Sequence, residues 1–391
     1  MSQVMSETEQ EQRCNLAQDD SCLADSQGRR GRMELLASSN LPKLGWIGVD
    51  LQSDVIRFAQ LLNSRGSLSA RTATIRIPER PGVESARSDW LEEHVARVVQ
   101  EAGWTGLEAA CVLPRLGYQE GTVEISGSDP SELDRQLHEL VQRRLAVGDQ
   151  QITLDWWEHP FEVPTVMEGQ RRINYVALRN EFASRSLKSL QRAGLSVVCV
   201  DSPGFVAARL LQMQGIPSSD YTALVLEITH QATRLTCVYQ DLPVYSRTLS
   251  SLGWDAACAE VAKQYRITSR EAIVLLNRYG RSSRELNGDQ LLIRTLLQDA
   301  AGDYRRMLTH ELYRTISYLD QKLRLPSVAT CLMVGEHARQ VFAIDAVSEL
   351  VPVETTLHEI RQADQVETML SSEEWGNALS LSWLGYEARR A

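Results

Sequence analysis

No stretch of this 391-residue chain holds the ~18 uninterrupted apolar residues that a membrane-spanning helix needs, and its start lacks the short apolar core of a signal peptide. A soluble protein of the cytosol is the expectation. Cysteine is scarce and scattered. The seven cysteines, at positions 14, 22, 111, 199, 237, 258 and 331, include no C-x-x-C pair, which removes the usual zinc and dithiol patterns. Cys111, Cys199, Cys237 and Cys331 fall in apolar, strand-like runs, where a reduced thiol packs as a small hydrophobe. Neither G-x-x-x-x-G-K-[ST] nor G-x-G-x-x-G occurs, so the P-loop and dinucleotide fingerprints are missing. His310-Glu311-Leu312-Tyr313-Arg314 begins like a zinc-protease motif but has arginine where the second histidine is required. Long basic blocks are absent too, and with a net charge of −10 the chain is not expected to bind nucleic acid, which needs many phosphate contacts.

Met1 to Asn40 is polar, acidic in its first half and without apolar periodicity, as a disordered tail would be. Arg29-Arg30-Gly31-Arg32 is its one basic cluster and reads as solvated linker. Ordered pattern begins at Trp46 to Leu62, WIGVDLQSDVIRFAQLL: a buried-type strand ended by Asp50, a polar turn, and a return strand through Val55, Ile56 and Phe58. The same form returns at Ala223 to Tyr239, ALVLEITHQATRLTCVY, with Glu227 ending the strand and Thr229-His230-Gln231 in the turn. Two such hairpins predict two related halves. Ser69 to Ile77 alternates as a third strand, Asp89 is placed to cap a helix running to about Ala102, and Ala109 to Leu113 is a further buried strand. Between Pro114 and about Arg192 come strands at Thr122 to Ile125, Ile152 to Phe161 and Ile173 to Leu178, with helices from Asp129-Pro130 and from Arg179 to Ala193. Ser196 to Val200 is a strand, and Asp201 is the expected cap of the helix that follows. Beyond the second hairpin, helices are expected over Asp255 to Tyr265, Ser269 to Tyr279 and, as one long element, Asp289 to Leu323. Val328 to Val334 is the last main strand, Leu350 to Val353 a short edge strand, and Glu374 to Ala388 a closing helix.

Two acidic-ended hairpins followed by a late strand and glycine turn, Cys331-Leu332-Met333-Val334-Gly335, resemble the two phosphate motifs and the adenosine motif of actin-like ATPases. Three segments resemble PilM, the cytoplasmic type IV pilus assembly protein related to FtsA: Ser186 to Leu211, the second hairpin with Val244 to Leu252, and Trp375 to Tyr386. The resemblance runs from about Leu44 to the C-terminus. It implies an α/β, actin-like (ribonuclease H-like) two-domain fold with an FtsA/PilM-type inserted subdomain. The expected parts are a tail (1–40), a first domain (41–116 and 193–204, with the closing helix 374–391), the insert (117–192) and a second domain (205–373).

By that resemblance, Asp50, Ser53, Glu227, Thr229 and Gly335 occupy the nucleotide and metal positions. Three of the turns depart from the pattern. Gln52 stands where glycine lets backbone amides approach a phosphate, Thr229 replaces the second glycine, and Glu336-His337 follows the single Gly335 of the adenosine turn. Asp54 adds negative charge where a polyphosphate would lie. No cofactor is therefore expected and no hydrolysis. Asp201 is the one acidic residue in register to orient a water, although its plainer role is as a cap. The function implied is a cytoplasmic scaffold. It would bind the N-terminal cytoplasmic tail of a PilN-like, single-spanning inner-membrane protein, meet the membrane only through that partner, and link it to a pilus or secretion motor. An ATP- and Mg-binding version, with nucleotide setting partner affinity, is the alternative, and a sugar kinase on the same fold is a third reading weakened by the altered turns. The partner's extended tail is expected in a groove between the first-domain sheet and the insert, walled by Leu116, Tyr118, Val123 and Ile125, with Val123 and Ile125 equally suited to the insert's own core. Of Trp156-Trp157, one indole should face core and the other a neighbouring subdomain.

Overall fold

A computed structural model describes residues 43–64, 67–78, 84–114, 117–127, 129–145, 151–160, 170–216, 218–282, 286–354, 360–362, 369–370 and 372–388. The expected tail, Met1 to Asn40, and the expected groove residue Leu116 lie outside the described residues.

Strands β1 (Lys43–Leu44), β2 (Ile47–Leu51), β3 (Val55–Ser64) and β4 (Ser67–Arg76) form an antiparallel group. Every residue of β2 is buried, as its continuous apolar run requires of a strand covered on both faces. Helix α1 (Glu84–Glu101) follows, so Asp89 lies inside the helix and not at its cap. It leads to β5 (Glu108–Val112), parallel to β2.

The next segment builds its own three-stranded sheet in the order β6-β8-β7, from β6 (Tyr118–Ser126), β7 (Ile152–Glu158) and β8 (Gln170–Arg179). Between β6 and β7, α2 (Pro130–Leu145) starts on a proline, whose missing N–H costs nothing in a first turn. Leu133, Leu137 and Val141, spaced by four, lie on one face of α2 and close over Val123, Ile125, Ile173 and Tyr175. This core is separate from the first sheet's, which makes the insert a subdomain. Helix α3 (Asn180–Arg192) returns the chain to β9 (Ser196–Val200), parallel to β5.

Helix α4 (Pro203–Met213) is capped by Ser202, whose hydroxyl accepts the Phe205 N–H at 3.2 Å. Asp201, the expected cap, pairs with Arg209 at 2.7 Å instead. The second sheet has the order β12-β11-β10-β13-β14, with β10 (Thr222–Ile228), β11 (Thr233–Tyr239) and β12 (Leu242–Leu249) as its hairpins. Helices α5 (Trp254–Tyr265) and α6 (Ser269–Tyr279) follow. The single long helix expected next is two, α7 (Gly288–Ala300) and α8 (Gly302–Tyr318), ending in a π turn at Leu319–Leu323. Ala301 makes the break with ψ at 15°. The turn keeps Leu297 and Ala300 of one helix and Tyr304, Leu308 and Leu312 of the other on the same core. Strand β13 (Val328–Val334), helix α9 (Val341–Ser348) and β14 (Val353–Glu354) complete the sheet.

The boundary expected at residue 373 shifts. β15 (Ile360–Gln362) and β16 (Met369–Leu370) belong to the first sheet, β15 pairing with β4. Helix α10 (Ser372–Ala388) then crosses that sheet. It comes so close that a Cβ at Gly48 would stand 1.9 Å from the Ala378 carbonyl oxygen. Ser382 fastens the contact: its hydroxyl donates to the Trp46 carbonyl at 2.6 Å and accepts the Leu61 N–H at 2.8 Å. Gly48 thus fixes the depth of α10, and the depth of α10 decides where Asn377 points.

Candidate functional site

The turns of the two hairpins face each other across a cleft of about 620 Å3, lined from the first domain, the second domain and Tyr118 of the insert. Asp50, Ser53, Glu227 and Thr229 all line it, whereas Gly335 does not. Gly335, at φ 99°, serves the turn after β13, where a Cβ would meet the Ile228 carbonyl oxygen at 2.6 Å.

The two strand-ending acids are held together by amides. Asn377 donates to Glu227 at 2.7 Å and to Asp50 at 3.3 Å through one nitrogen. Gln52 donates to Asp50 at 3.0 Å and to Glu227 at 3.4 Å. Outside this clasp the hairpin tips meet, Ser53 donating to Gln231 at 3.4 Å. Asp50 is 4 % exposed; burial first, and then the charge of Glu227, push its carboxyl up to about 7, against the pull of Arg57 and the two amides. An acid in this setting gives up its proton reluctantly because its charged form faces a like charge with little water.

The adenosine turn is also occupied. Glu336 reaches out of the second domain to Arg57 at 2.9 Å and Arg76 at 2.6 Å on the first sheet, while Arg281 donates to its backbone carbonyl at 3.2 Å. Burial opposes the charge of Glu336, but the Arg76 hydrogen bond and the charges of Arg76 and Arg57 outweigh it and hold the carboxyl below its usual value. His337 stacks on Trp254 at 4.3 Å with the rings 5° from parallel; its burial pushes the imidazole down to about 3, so it is neutral at physiological pH.

A magnesium nucleotide does not fit these residues. Phosphate turns work by presenting free backbone amides. Here the Gln52 N–H is bonded to the Val55 carbonyl at 2.9 Å, the Thr229 N–H to the Ala232 carbonyl at 2.9 Å, and the Ala232 N–H to the Thr229 hydroxyl at 3.2 Å. The first amides of α5 are taken by the carbonyls of Thr229 and His230, each at 3.0 Å. Among the described lining residues Arg234 is the one cation, and Glu120 of the insert pairs with it. Asp50, Asp54 and Glu227 face the cleft uncompensated by any other arginine or lysine of that lining, so a polyphosphate would meet like charge. No cluster of three or more potential metal ligands occurs among the described residues.

Of the expected groove residues, two are buried. Val123 and Ile125, 7 % and 5 % exposed, form the insert's own core, because alternate residues of β6 point toward α2. Tyr118 reaches the cleft, its hydroxyl donating to the Asp201 carbonyl at 2.8 Å and accepting the Leu113 N–H at 3.1 Å. Trp156 faces α2, its indole donating to Asp134 at 3.2 Å; Trp157 donates to the Pro243 carbonyl of the second domain at 3.0 Å and packs edge-on against Phe205. The sequence reading passed over Asn377, Arg57, Arg234 and Glu120. An asparagine inside the apolar run WGNALSLSWLGY, and an arginine seven residues after each strand-ending acid, are the signals that were there to find.

No protein-family model matches the chain, and no curated protein matches it. Among solved structures it is similar to a chain of the PilM-PilN type IV pilus biogenesis complex, with 18 % identity and a TM-score of 0.68 over 88 % of this chain and 99 % of that one. It is also matched by the ethanolamine utilization protein EutJ from Carboxydothermus hydrogenoformans, at 12 % identity and TM-score 0.47 over 90 % and 92 % of the two chains. A third match is MreB 5 of Spiroplasma citri bound to AMPPNP, at 9 % identity and TM-score 0.45 over 90 % and 98 %. The fold is the actin-like two-domain fold, with an inserted subdomain after β5.

Proposed function

We propose that this chain is a non-catalytic adaptor of the PilM kind, which binds the N-terminal cytoplasmic tail of a single-spanning, PilN-like inner-membrane protein in type IV pilus or related secretion-system assembly. The observation that carries the non-catalytic part is the clasp: Gln52 and Asn377 bridge Asp50 and Glu227 across the place where an actin-like ATPase holds phosphate and metal. A cleft bridged by the chain's own side chains has no need of a ligand to close it. The partner part is supported by the likeness to the PilM-PilN complex and by the sequence segments quoted above. With Val123 and Ile125 in the insert's core, Tyr118 is the described residue of the expected wall that lines the cleft, at the seam of first domain and insert.

The test is co-purification. With the cytoplasmic tail of a PilN-like single-spanning protein encoded beside this chain as the probe, the full chain should retain that tail in nucleotide-free buffer as well as in millimolar Mg-ATP, and the lack of such a neighbour would itself count against the reading. Retention only with Mg-ATP would replace this reading by the nucleotide-regulated alternative, in which the cavity beside the clasp accepts the ligand once the amides swing away. Absence of retention in both buffers would end the adaptor reading.

A further inference from the structure

The two hairpins carry the same pair at the same register: Asp50 lies opposite Arg57 on β2 and β3, and Glu227 lies opposite Arg234 on β10 and β11. Each arginine reaches out of its own sheet to a carboxylate of another body. Arg57 pairs with Glu336 of the second domain, and Arg234 pairs with Glu120 at the start of the insert. The arginines are 2 % and 6 % exposed, and the side chains of Glu336 and Glu120 only 16 % and 19 %. Surface ion pairs of this kind come and go at little cost, but a buried pair cannot part without leaving a charge stranded out of water. Both contacts therefore transmit position from one body to the next.

The insert is anchored at both ends of this connection. Its Trp157 indole donates to the Pro243 carbonyl of β12 at 3.0 Å, on the same second-domain sheet that carries Arg234. Its Tyr118 hydroxyl bridges the Leu113 amide and the Asp201 carbonyl of the first domain. Ser246 of β12 steadies the Arg234 guanidinium at 3.3 Å. The second domain thus holds the first domain at Glu336 and the insert at Arg234, with the amide clasp between the two points.

We propose that Arg57 and Arg234 are paired struts that make the insert move with the second domain, so that closure of the cleft and docking of a partner on the insert are linked equilibria with no nucleotide between them. What docks rests on the adaptor reading above; the linkage rests on these contacts alone. Linkage of this form is reciprocal: a partner that favours one insert position favours one state of the cleft to the same degree.

Hydrogen exchange on the full chain tests it. Glu336 does not touch the insert, yet Glu336→Gln is expected to speed exchange of β6 and β12 amides by about tenfold, as a local opening made easier would, as well as near its own turn. Arg76→Gln, a milder change at an exposed partner of Glu336, gives the same pattern at smaller amplitude and serves if the first variant does not fold. Glu120→Arg combined with Arg234→Glu restores wild-type exchange in the insert, while either change alone does not. The proposal is overturned if both cleft variants alter exchange only around the first hairpin and the adenosine turn. A second arm uses a synthetic peptide of the neighbouring single-spanning protein's cytoplasmic tail. Failure of the wild type to bind it sinks the adaptor reading and leaves the exchange result to decide the linkage; binding by the wild type with affinity unchanged in Glu336→Gln sinks the linkage.

Discussion

Replacing Asp50 by asparagine should stabilise this protein strongly above neutral pH and much less at pH 5. Asp50 sits almost wholly buried beside Glu227, and its carboxyl is pushed up to about 7. A carboxyl moved from its usual ~3.9 to about 7 corresponds to about 4 kcal/mol between its two protonation states. The sign follows from proton binding. Between roughly pH 4 and pH 7 the folded chain keeps a proton that the unfolded chain has released, so stability falls as pH rises through that window and is lowest above it. The amide that replaces the carboxyl in Asp50→Asn has no charge to bury, and its carbonyl oxygen can still accept from Gln52 and Asn377. Allowing for relaxation of the clasp, the variant should gain about 2 to 4 kcal/mol over wild type at pH 8.5 and about 1 to 1.5 kcal/mol at pH 5, where only part of the window has been crossed. Urea titrations of both proteins at the two pH values measure the difference, provided the slopes agree. A variant less stable than wild type at pH 8.5, or a wild-type protein whose stability does not fall from pH 5 to pH 8.5, would refute the clasp as drawn. So would stabilisation of wild type by millimolar Mg2+ that Asp50→Asn abolishes, because Asp50 would then be a metal ligand.

Four further outcomes are expected. Mg-ATP at millimolar concentration should leave the melting temperature unchanged, whereas a site at a hundredfold excess over its Kd would add about 2.7 kcal/mol. Asn377→Leu removes the shared donor to Asp50 and Glu227, and should cost about 1 to 3 kcal/mol, more at pH 8.5 than at pH 5 because Asp50 is then charged; equal cost at both pH values would mean that the amide only fills space. Gly48→Ala drives a methyl into the Ala378 carbonyl and should cost about 1 to 3 kcal/mol by overpacking, read from urea melts, with a neutral result showing that α10 can lift without penalty. No helix of the described residues is long and apolar enough to cross a membrane, and on fractionation the chain should pellet with membranes only when co-expressed with the single-spanning partner proposed above.

Much of the fold was legible because its strands announce themselves. IGVDL and TALVLEI are short apolar runs ended by an acid and a turn, a pattern that local sequence states fully. The insert was legible for the same reason, with Leu133, Leu137 and Val141 marking one face of α2. What failed needed partners distant in sequence. Nothing near Ile360 says that β15 pairs with β4, almost 300 residues earlier by register of Arg361 with Ser69. Ala301 breaks a helix that periodicity alone continues, since either half keeps an apolar face. In the site, Asp50 and Glu227 could be singled out as the acids that end the two strands, and Gln52 and Glu336 as departures from a pattern. Their meaning could not: that Gln52 bridges the two acids, and that Glu336 is met by Arg57 and Arg76, is a fact of how the domains approach. Val123 and Ile125 illustrate the opposite limit, where an apolar alternation is equally good for a core and for a groove, and only the position of α2 decides.

The substitutions at the turns make sense as a change in what controls closure. In a two-domain fold whose cleft shuts on a ligand, the closed fraction depends on ligand concentration and on the difference in affinity between open and closed states. Side chains tethered to the walls act at a fixed, high effective concentration, so Gln52, Asn377 and Glu336 favour closure whatever the nucleotide level. The clasp is nonetheless poised and not inert, because it includes a buried acid facing another acid. Its closed state therefore carries a built-in cost that a modest competing interaction at the insert can exploit. On the reading proposed above, control would pass from a small molecule in the cleft to whatever binds the body that Arg234 holds, which is the arrangement an adaptor needs if it must respond to a partner and to nothing else.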